Sequence, residues 1–180
     1  MDRDGTINKD THYPHQIEDL ILFSEATKGI ELLSTLPLDI IVITNQGGIA
    51  LNMYTVQHMT AFNAELRRKI NADKGRIDAF YYCPHFEKKN LPEDTKMCSC
   101  SKPLPGLLFE AAEDFQINLA ESYMIGDRFT DIEAGIRAGC KTILVKSGAS
   151  IVRSDETTVE PDYITENLLE AALIIKGEFV

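Results

Sequence analysis

Apolar positions along the chain fall into two kinds of run. Ile40-Ile41-Val42-Ile43-Thr44 is unbroken and β-branched, which predicts a strand covered on both faces. Ala79-Phe80-Tyr81-Tyr82, Tyr123-Met124-Ile125 and Thr142-Ile143-Leu144-Val145 predict three more. Between them the apolar spacing changes to a helical period. Ala26, Ile30 and Leu33 share a face over Glu25 to Leu36, with Ser24 as the expected N-cap. Val56, Met59, Leu66 and Ile70 do so over Thr55 to Ala72, with Gly75 as the stop. Leu107 to Phe115 follows Pro105-Gly106. Thr130-Asp131-Ile132-Glu133 reads as a capping box for a helix that Gly139 ends, and a last helix is expected from Glu166 to Lys176. Strands alternating with helices predict an α/β fold with a parallel sheet, whose sites lie at the carboxyl ends of the strands. The chain shows no internal repeat. Pro84 to Pro105 is one long irregular segment, a length that points to function or to something holding it.

Composition narrows the picture. At 180 residues the chain suits a single domain spanning 1–180. A net charge of −10 argues against a nucleic-acid surface but leaves room for a small phosphorylated substrate, which needs only a few local cations. No apolar run reaches the length of a membrane span, and no basic-then-apolar leader is visible, so a cytoplasmic protein is expected, and nothing in the sequence demands more than a monomer. The four cysteines are Cys83, Cys98, Cys100 and Cys140, three of them near His85. That grouping suggests metal in a reducing compartment rather than disulfides.

Candidate chemistry sits where the strands end. Asp2-Arg3-Asp4-Gly5-Thr6 opens the chain. In extended backbone Asp2 and Asp4 point to one side, so both can face one metal ion and one phosphate, with Gly5 allowing a sharp turn. The plain alternative is a solvated acidic terminus. Thr44-Asn45-Gln46-Gly47-Gly48 ends the first predicted strand and offers a hydroxyl, an amide and free N–H groups to phosphate oxygens, or else is an ordinary turn. Lys102-Pro103 precedes a helix and places a cation where it can neutralise a phosphoryl group, although a lone lysine usually faces solvent. Gly126-Asp127 and Asp131 follow the third strand. Their carboxylates can complete a Mg²⁺ site, or simply cap a helix. Cys83-Pro84-His85 and Cys98-Ser99-Cys100 form two tight ligand pairs of the kind tetrahedral Zn²⁺ takes, within a loop at about 83–100. Cys140 is expected to be packing. His12, His15 and His58 show no evident partners and read as ordinary surface or loop residues.

Together these segments resemble the four motifs of the haloacid dehalogenase superfamily. Asp-Arg-Asp-Gly-Thr-Ile-Asn, Tyr-Tyr-Cys-Pro-His, Cys-x-Cys-x-Lys-Pro-x-Pro-Gly and Ile-Gly-Asp-Arg are similar to the heptose bisphosphate phosphatases, with histidinol-phosphate phosphatases close by. The resemblance runs from Met1 to about Gly148. It implies a Rossmann-like three-layer sandwich around a central parallel sheet, a zinc-bound loop forming one wall of the substrate pocket, and no large cap domain. It implies a Mg²⁺-dependent phosphatase of carbohydrate metabolism acting on a phosphorylated sugar. Asp2 would be the nucleophile, forming an aspartyl phosphate, and Asp4 the general acid and base. Thr44, Asn45 and Gln46 would bind substrate, and Lys102 would neutralise the phosphoryl group. The Asp2 and Asp127 side chains and the Asp4 main-chain carbonyl would hold Mg²⁺, supported indirectly by Asp131. Cys83, His85, Cys98 and Cys100 would hold a structural zinc.

The chain departs from the family pattern in three places. Ser101 and Leu51 stand where the family usually has arginine, which opens the alternative of a histidinol-phosphate phosphatase or another sugar or polyol monophosphatase. The family also carries an apolar, central strand ahead of the first aspartate. Here only Met1 precedes Asp2, and the expectation is that Met1 is internal and that strand is missing from the chain as written. A catalytically silent phospho-acceptor or binding module is the rival of a different class. Retention of Asp4 argues against it, because a long-lived aspartyl phosphate needs no hydrolytic base. A zinc-ribbon nucleic-acid binder fits poorly with the acidic charge.

Overall fold

In a computed structural model the chain is described over residues 1–86, 98–148 and 159–179. Most of the expected loop at about 83–100 therefore lies outside the described residues, although its four candidate ligands lie within them. The α-helices and strands among the described residues are, in order, α1 (Ser24–Leu33), β1 (Ile41–Asn45), α2 (Val56–Ala72), β2 (Ala79–Cys83), α3 (Gly106–Phe115), β3 (Tyr123–Gly126), α4 (Phe129–Ala138), β4 (Lys141–Val145), β5 (Tyr163–Thr165) and α5 (Leu168–Gly177). All strand pairs are parallel.

Residue alternation along the strands sorts the core into two layers. Val42 and Ile125 face one side with residues of α1, α2 and α5, among them Ile30, Phe62 and Ile175. Ile41, Ile43 and Met124 face the other side with Leu107 of α3 and Ala134 of α4. Both faces are covered, which is why the strand sequences lack polar alternation. The result is the expected three-layer arrangement. Cys140 is buried in the second layer, as its position suggested.

The strands form two sheets rather than one continuous sheet, β1-β2 and β3-β4-β5. Met1 and Asp2 lie between them and bond to both. The Met1 amino group donates to the Ile41 carbonyl at 2.7 Å, and Ile43 N–H donates to the Met1 carbonyl at 2.8 Å. Asp2 N–H donates to the Ile125 carbonyl at 2.8 Å. On the other side of Met1 a groove of about 650 Å³ runs between the half-sheets, lined by Ile41, Ile125 and Ile175 among others. Two residues are too few to form a strand, so the ladder is interrupted there. They suffice to fix Asp2 beside the carboxyl ends of β1 and β3.

Several boundaries differ from expectation for local reasons. Ser24 does not cap α1; Phe23 is the N-cap, and the Ser24 hydroxyl donates to Glu25. The α4 box opens at Arg128 rather than Thr130, with Arg128 N–H donating to Asp131 Oδ2 at 3.0 Å. After α2 it is Lys74, not Gly75, that takes positive φ. Gly75 instead lets the chain pass close to Ile70. Gly139 ends α4 in the left-handed region at φ 82°, as expected.

Gly135 sets how closely α4 approaches the sheet. A Cβ there would lie 2.7 Å from both the Met124 Cβ and the Thr142 Cγ2. Since α4 carries Asp131, this contact also places part of the site. Gly135→Val is expected to lower unfolding free energy by about 1–3 kcal/mol through overpacking, measured by urea titration. An unchanged midpoint would show that the helix has room to move.

Candidate active site

The carboxyl ends of β1 and β3 and the turn after Asp2 converge on one cavity of about 230 Å³. Asp2, Asp4, Thr44, Asn45, Gln46, Lys102 and Asp131 all line it. They come from four separate stretches of chain, and the parallel strands bring them to one end of the sandwich.

Three acids cluster here, Asp2 and Asp131 lining the cavity and Asp127 beside them. Asp2, Asp127 and Asp131 are buried, and each offers a carboxylate oxygen within 4.8 Å of the others. Lys102 stands among them, with its Nζ 2.6 Å from Asp2 Oδ1, 2.6 Å from Asp131 Oδ1 and 2.8 Å from the Ile43 carbonyl. Burial pushes the ammonium toward releasing its proton, but the charges of Asp131 and Asp2 outweigh this and hold it well above the usual lysine range. One lysine does not balance three carboxylates. Asp127 is the one left over: burial first, then the charges of Asp2 and Asp131, push it up to about 8. Asp2 is raised to about 6, chiefly by burial, with Lys102 opposing.

Asp127 is also underbonded. Its Oδ1 accepts a long bond from Thr6 Oγ1 at 3.4 Å, and its buried Oδ2 has no partner. A Cβ at Gly5 or Gly148 would strike this carboxylate, so the two glycines leave it the space it occupies. Gly5 sits at φ 90°, where a side chain would be strained as well. An orphaned carboxylate oxygen beside two more carboxylates is a donor set for a hard divalent cation.

The two aspartates of the opening motif diverge. The chain turns at Gly5, with Gly5 N–H donating to the Asn8 carbonyl at 2.7 Å. Asp4 is thereby drawn out of the acidic cluster. Its carboxylate accepts instead from Arg3, Asn8 and Gln46.

Asn45 and Gln46 also have other partners than their position suggested. The Asn45 amide donates to the Lys102 carbonyl at 3.1 Å and accepts from Lys102 N–H at 3.0 Å. It ties the end of β1 to the loop that carries the lysine. Gln46 donates to Asp4 and to Thr44 Oγ1, and accepts from Tyr54 Oη at 2.7 Å. Ser101 is buried and receives Asn45 Nδ2 at 3.4 Å, while Leu51 is exposed.

Asp10, His12, Tyr54 and Arg128 are among the cavity-lining residues not evident in the sequence. Arg128 pairs with Asp10 at 2.7 Å. Its place directly after Asp127 was the available signal. The remaining histidines have partners too. His15 stacks on Tyr54 with ring centroids 4.9 Å apart, and His58 exchanges bonds with Thr55 at the start of α2.

A second cluster lies at the end of β2. Ligand atoms of Cys83, His85, Cys98 and Cys100 fall within 4.8 Å of one another. Cys83 Sγ lies 2.9 Å from Cys100 Sγ and 3.5 Å from Cys98 Sγ, and His85 Nδ1 lies 3.3 Å from Cys100 Sγ. Burial, then the neighbouring sulfurs, holds the Cys83 thiol far above its usual range. Three thiols and an imidazole this close together are the kinds of ligand that tetrahedral Zn²⁺ takes.

Known proteins resemble this chain in sequence and in fold. Residues 99–171 match a family model described as HAD-hydrolase-like. A D-glycero-beta-D-manno-heptose-1,7-bisphosphate 7-phosphatase from Yersinia pestis is 31% identical over 181 residues, covering 99% of this chain and 95% of the relative. The chain belongs to this phosphatase family of the haloacid dehalogenase superfamily. A second member, the D-glycero-alpha-D-manno-heptose-1,7-bisphosphate 7-phosphatase of Photorhabdus laumondii, is 33% identical and covers 98% and 94% of the two chains. The D,D-heptose 1,7-bisphosphate phosphatase of B. bronchiseptica, solved with magnesium and phosphate, superposes with a TM-score of 0.83 at 26% identity, covering 98% and 96%. As a family member the chain is a phosphatase. Among its described residues no helix is long and apolar enough to cross a membrane.

The unbalanced acids have a measurable consequence. Between about pH 4 and pH 8 the folded protein without a divalent cation keeps a proton on Asp127 that the unfolded chain has released. Its stability therefore falls as pH rises through that window. Asp127→Asn removes this term, so its stability relative to the parent is expected to rise by about 1 kcal/mol per pH unit between pH 6 and 8. Millimolar Mg²⁺ should reverse the order at pH 8. Denaturant titrations at several pH values check this, and a pH-independent difference would refute it.

Proposed function

We propose that this phosphatase hydrolyses a heptose 1,7-bisphosphate at its 7-phosphate, through an aspartyl phosphate on Asp2 and with Mg²⁺ in the acidic cluster. The observation that carries the reading is the buried, partnerless Asp127 Oδ2 beside Asp2, which is itself paired with Lys102. Asp2 and Asp127, with the main-chain carbonyl of Asp4, would hold the ion. When bound it supplies positive charge between the nucleophile and the phosphoryl oxygens.

The chain's own residues account for the rest. An Asp2 oxygen bonds to phosphorus as the bond to the sugar oxygen breaks, and Asp4 gives that oxygen its proton. Water then bonds to phosphorus and passes a proton to Asp4, and the Asp2–phosphorus bond breaks. Lys102 holds Asp2 and neutralises the phosphoryl group, and Asp131 and Asn45 hold Lys102 in place. Thr44 lines the cavity beside the reacting group. Positioning and electrostatics of this kind are most of what phosphoryl transfer asks of a protein.

A second phosphate would meet Arg128 at the cavity wall, where Asp10 now holds it. One observation favours a monophosphate of a sugar or polyol instead. Ser101 is buried and bonded to Asn45, and Leu51 carries no charge, so neither can grip a distal phosphate. The decisive experiment measures Mg²⁺-dependent phosphate release from the heptose bisphosphate, histidinol phosphate and a set of sugar monophosphates. The bisphosphate is expected to give the highest kcat/KM, and Asp2→Asn to bring release to background. A monophosphate that outcompetes it would transfer the proposal to that substrate, and an active Asp2→Asn protein would end the aspartyl-phosphate mechanism.

Cys83, His85, Cys98 and Cys100 would hold Zn²⁺ as a structural ion, because four protein ligands leave no open position for substrate. Elemental analysis is expected to find one zinc per chain, lost in Cys100→Ser together with thermal stability. Full zinc occupancy in that variant would overturn the ligand set.

A further inference from the structure

Arg3 is a fully buried cation that the mechanism above does not use. Its guanidinium grips Asp4 with both arms: Nε donates to Oδ1 at 3.0 Å and Nη2 to Oδ2 at 2.8 Å. Nη1 donates to Asn63 Oδ1 at 2.8 Å, and the group lies over the Phe62 ring at 4.6 Å. Nη2 also reaches the Pro14 carbonyl at 3.4 Å. Phe62 and Asn63 belong to α2, and Phe62 is in the first core layer. The fork is therefore anchored to the body of the fold rather than to the loop it serves.

Two neutral amides complete the arrangement. Asn8 Nδ2 donates to Asp4 Oδ1 at 2.9 Å, and Gln46 Nε2 donates to Oδ2 at 3.1 Å. All four contacts bring hydrogens to the carboxylate, as suits an acceptor. The charged, bidentate pair is the strong one. Displacing the Gln46 amide, which lines the cavity, would leave the carboxylate plane unchanged because the fork still holds both oxygens.

We propose that Arg3, fixed by Asn63 and Phe62, is a positioning residue that holds the Asp4 carboxylate in place as the base for the water that hydrolyses the aspartyl phosphate. The inference rests on Asp2 being the nucleophile and Asp4 the acid and base. In that step the water oxygen bonds to phosphorus, its proton goes to Asp4, and the Asp2 oxygen leaves phosphorus as a carboxylate. Arg3 acts only through Asp4: it does not line the cavity that would hold the phosphoryl group and the water. A lysine keeps its charge but cannot supply two parallel bonds, so it should leave Asp4 free to rotate.

The test uses p-nitrophenyl phosphate with Mg²⁺, whose aryl oxide leaves without help from an acid. Phosphoryl transfer to Asp2 governs kcat/KM, and hydrolysis of the aspartyl phosphate then governs kcat. For Arg3→Lys, kcat is expected to fall about 100-fold, a typical share for a general base, while kcat/KM stays within about 3-fold. Rapid mixing should show a nitrophenolate burst near one equivalent per chain. Asn63→Ala leaves the Arg3–Asp4 pair but removes its anchor, and should give the same split with a fall in kcat of about 10-fold. It decides the matter if circular dichroism shows Arg3→Lys unfolded. Equal losses in kcat and kcat/KM, or no loss in either variant, would overturn the proposal and reduce Arg3 to a structural residue. An unaltered protein with no turnover of any phosphomonoester would instead sink the phosphatase mechanism on which this inference stands.

Discussion

The site depends on a charge imbalance buried at the end of the sheet. Three carboxylates, Asp2, Asp127 and Asp131, share one ammonium, that of Lys102. Burying charge is costly unless it is paired. The lysine pairs with two of the acids, and Asp127 is left raised to about 8 with an oxygen that bonds to nothing. A divalent cation is the chemically direct remedy. The geometry that asks for the ion also sets it beside the nucleophile.

Two aspartates two residues apart have been given opposite surroundings. Asp2 lies in the acidic cluster against Lys102, where a phosphoryl group would add charge that the cation and lysine offset. Asp4 lies against a guanidinium and two amides, outside that cluster. Different environments for neighbouring carboxylates are how one site separates a nucleophile from an acid or base. The Gly5 turn makes the separation, and Phe62 and Asn63 on α2 maintain it through Arg3. The packing of α2 and the chemistry of the first loop are thus one structural problem.

Much of the fold was legible because both faces of the strands are covered. Unbroken β-branched runs such as Ile40 to Thr44 exist only where no face meets water. The strand Tyr163–Thr165 was missed because it is three residues long, with Ile164 exposed, too short to show a period. Helix ends were misplaced where several polar residues compete for the same backbone groups, as at Ser24 and at Arg128 to Asp131. Side-chain partners proved least legible. Asn45 bonds the Lys102 backbone, and Arg3 reaches Asn63 on α2, pairings that no local spacing announces.

By itself, the sequence determined the order of chemical groups at the strand ends, the two ligand pairs of the cysteine loop and the class of reaction. These are local properties: spacing sets which groups one turn can present. Only the tertiary structure decided which groups meet. Lys102 reaches Asp2 across a hundred residues, and Asn63 reaches Arg3 across sixty. Such pairings depend on where packed helices and parallel strands bring distant loops. Met1 and Asp2 show the same division: the sequence marks Asp2 as reactive, but its place comes from bonds to β1 on one side and β3 on the other.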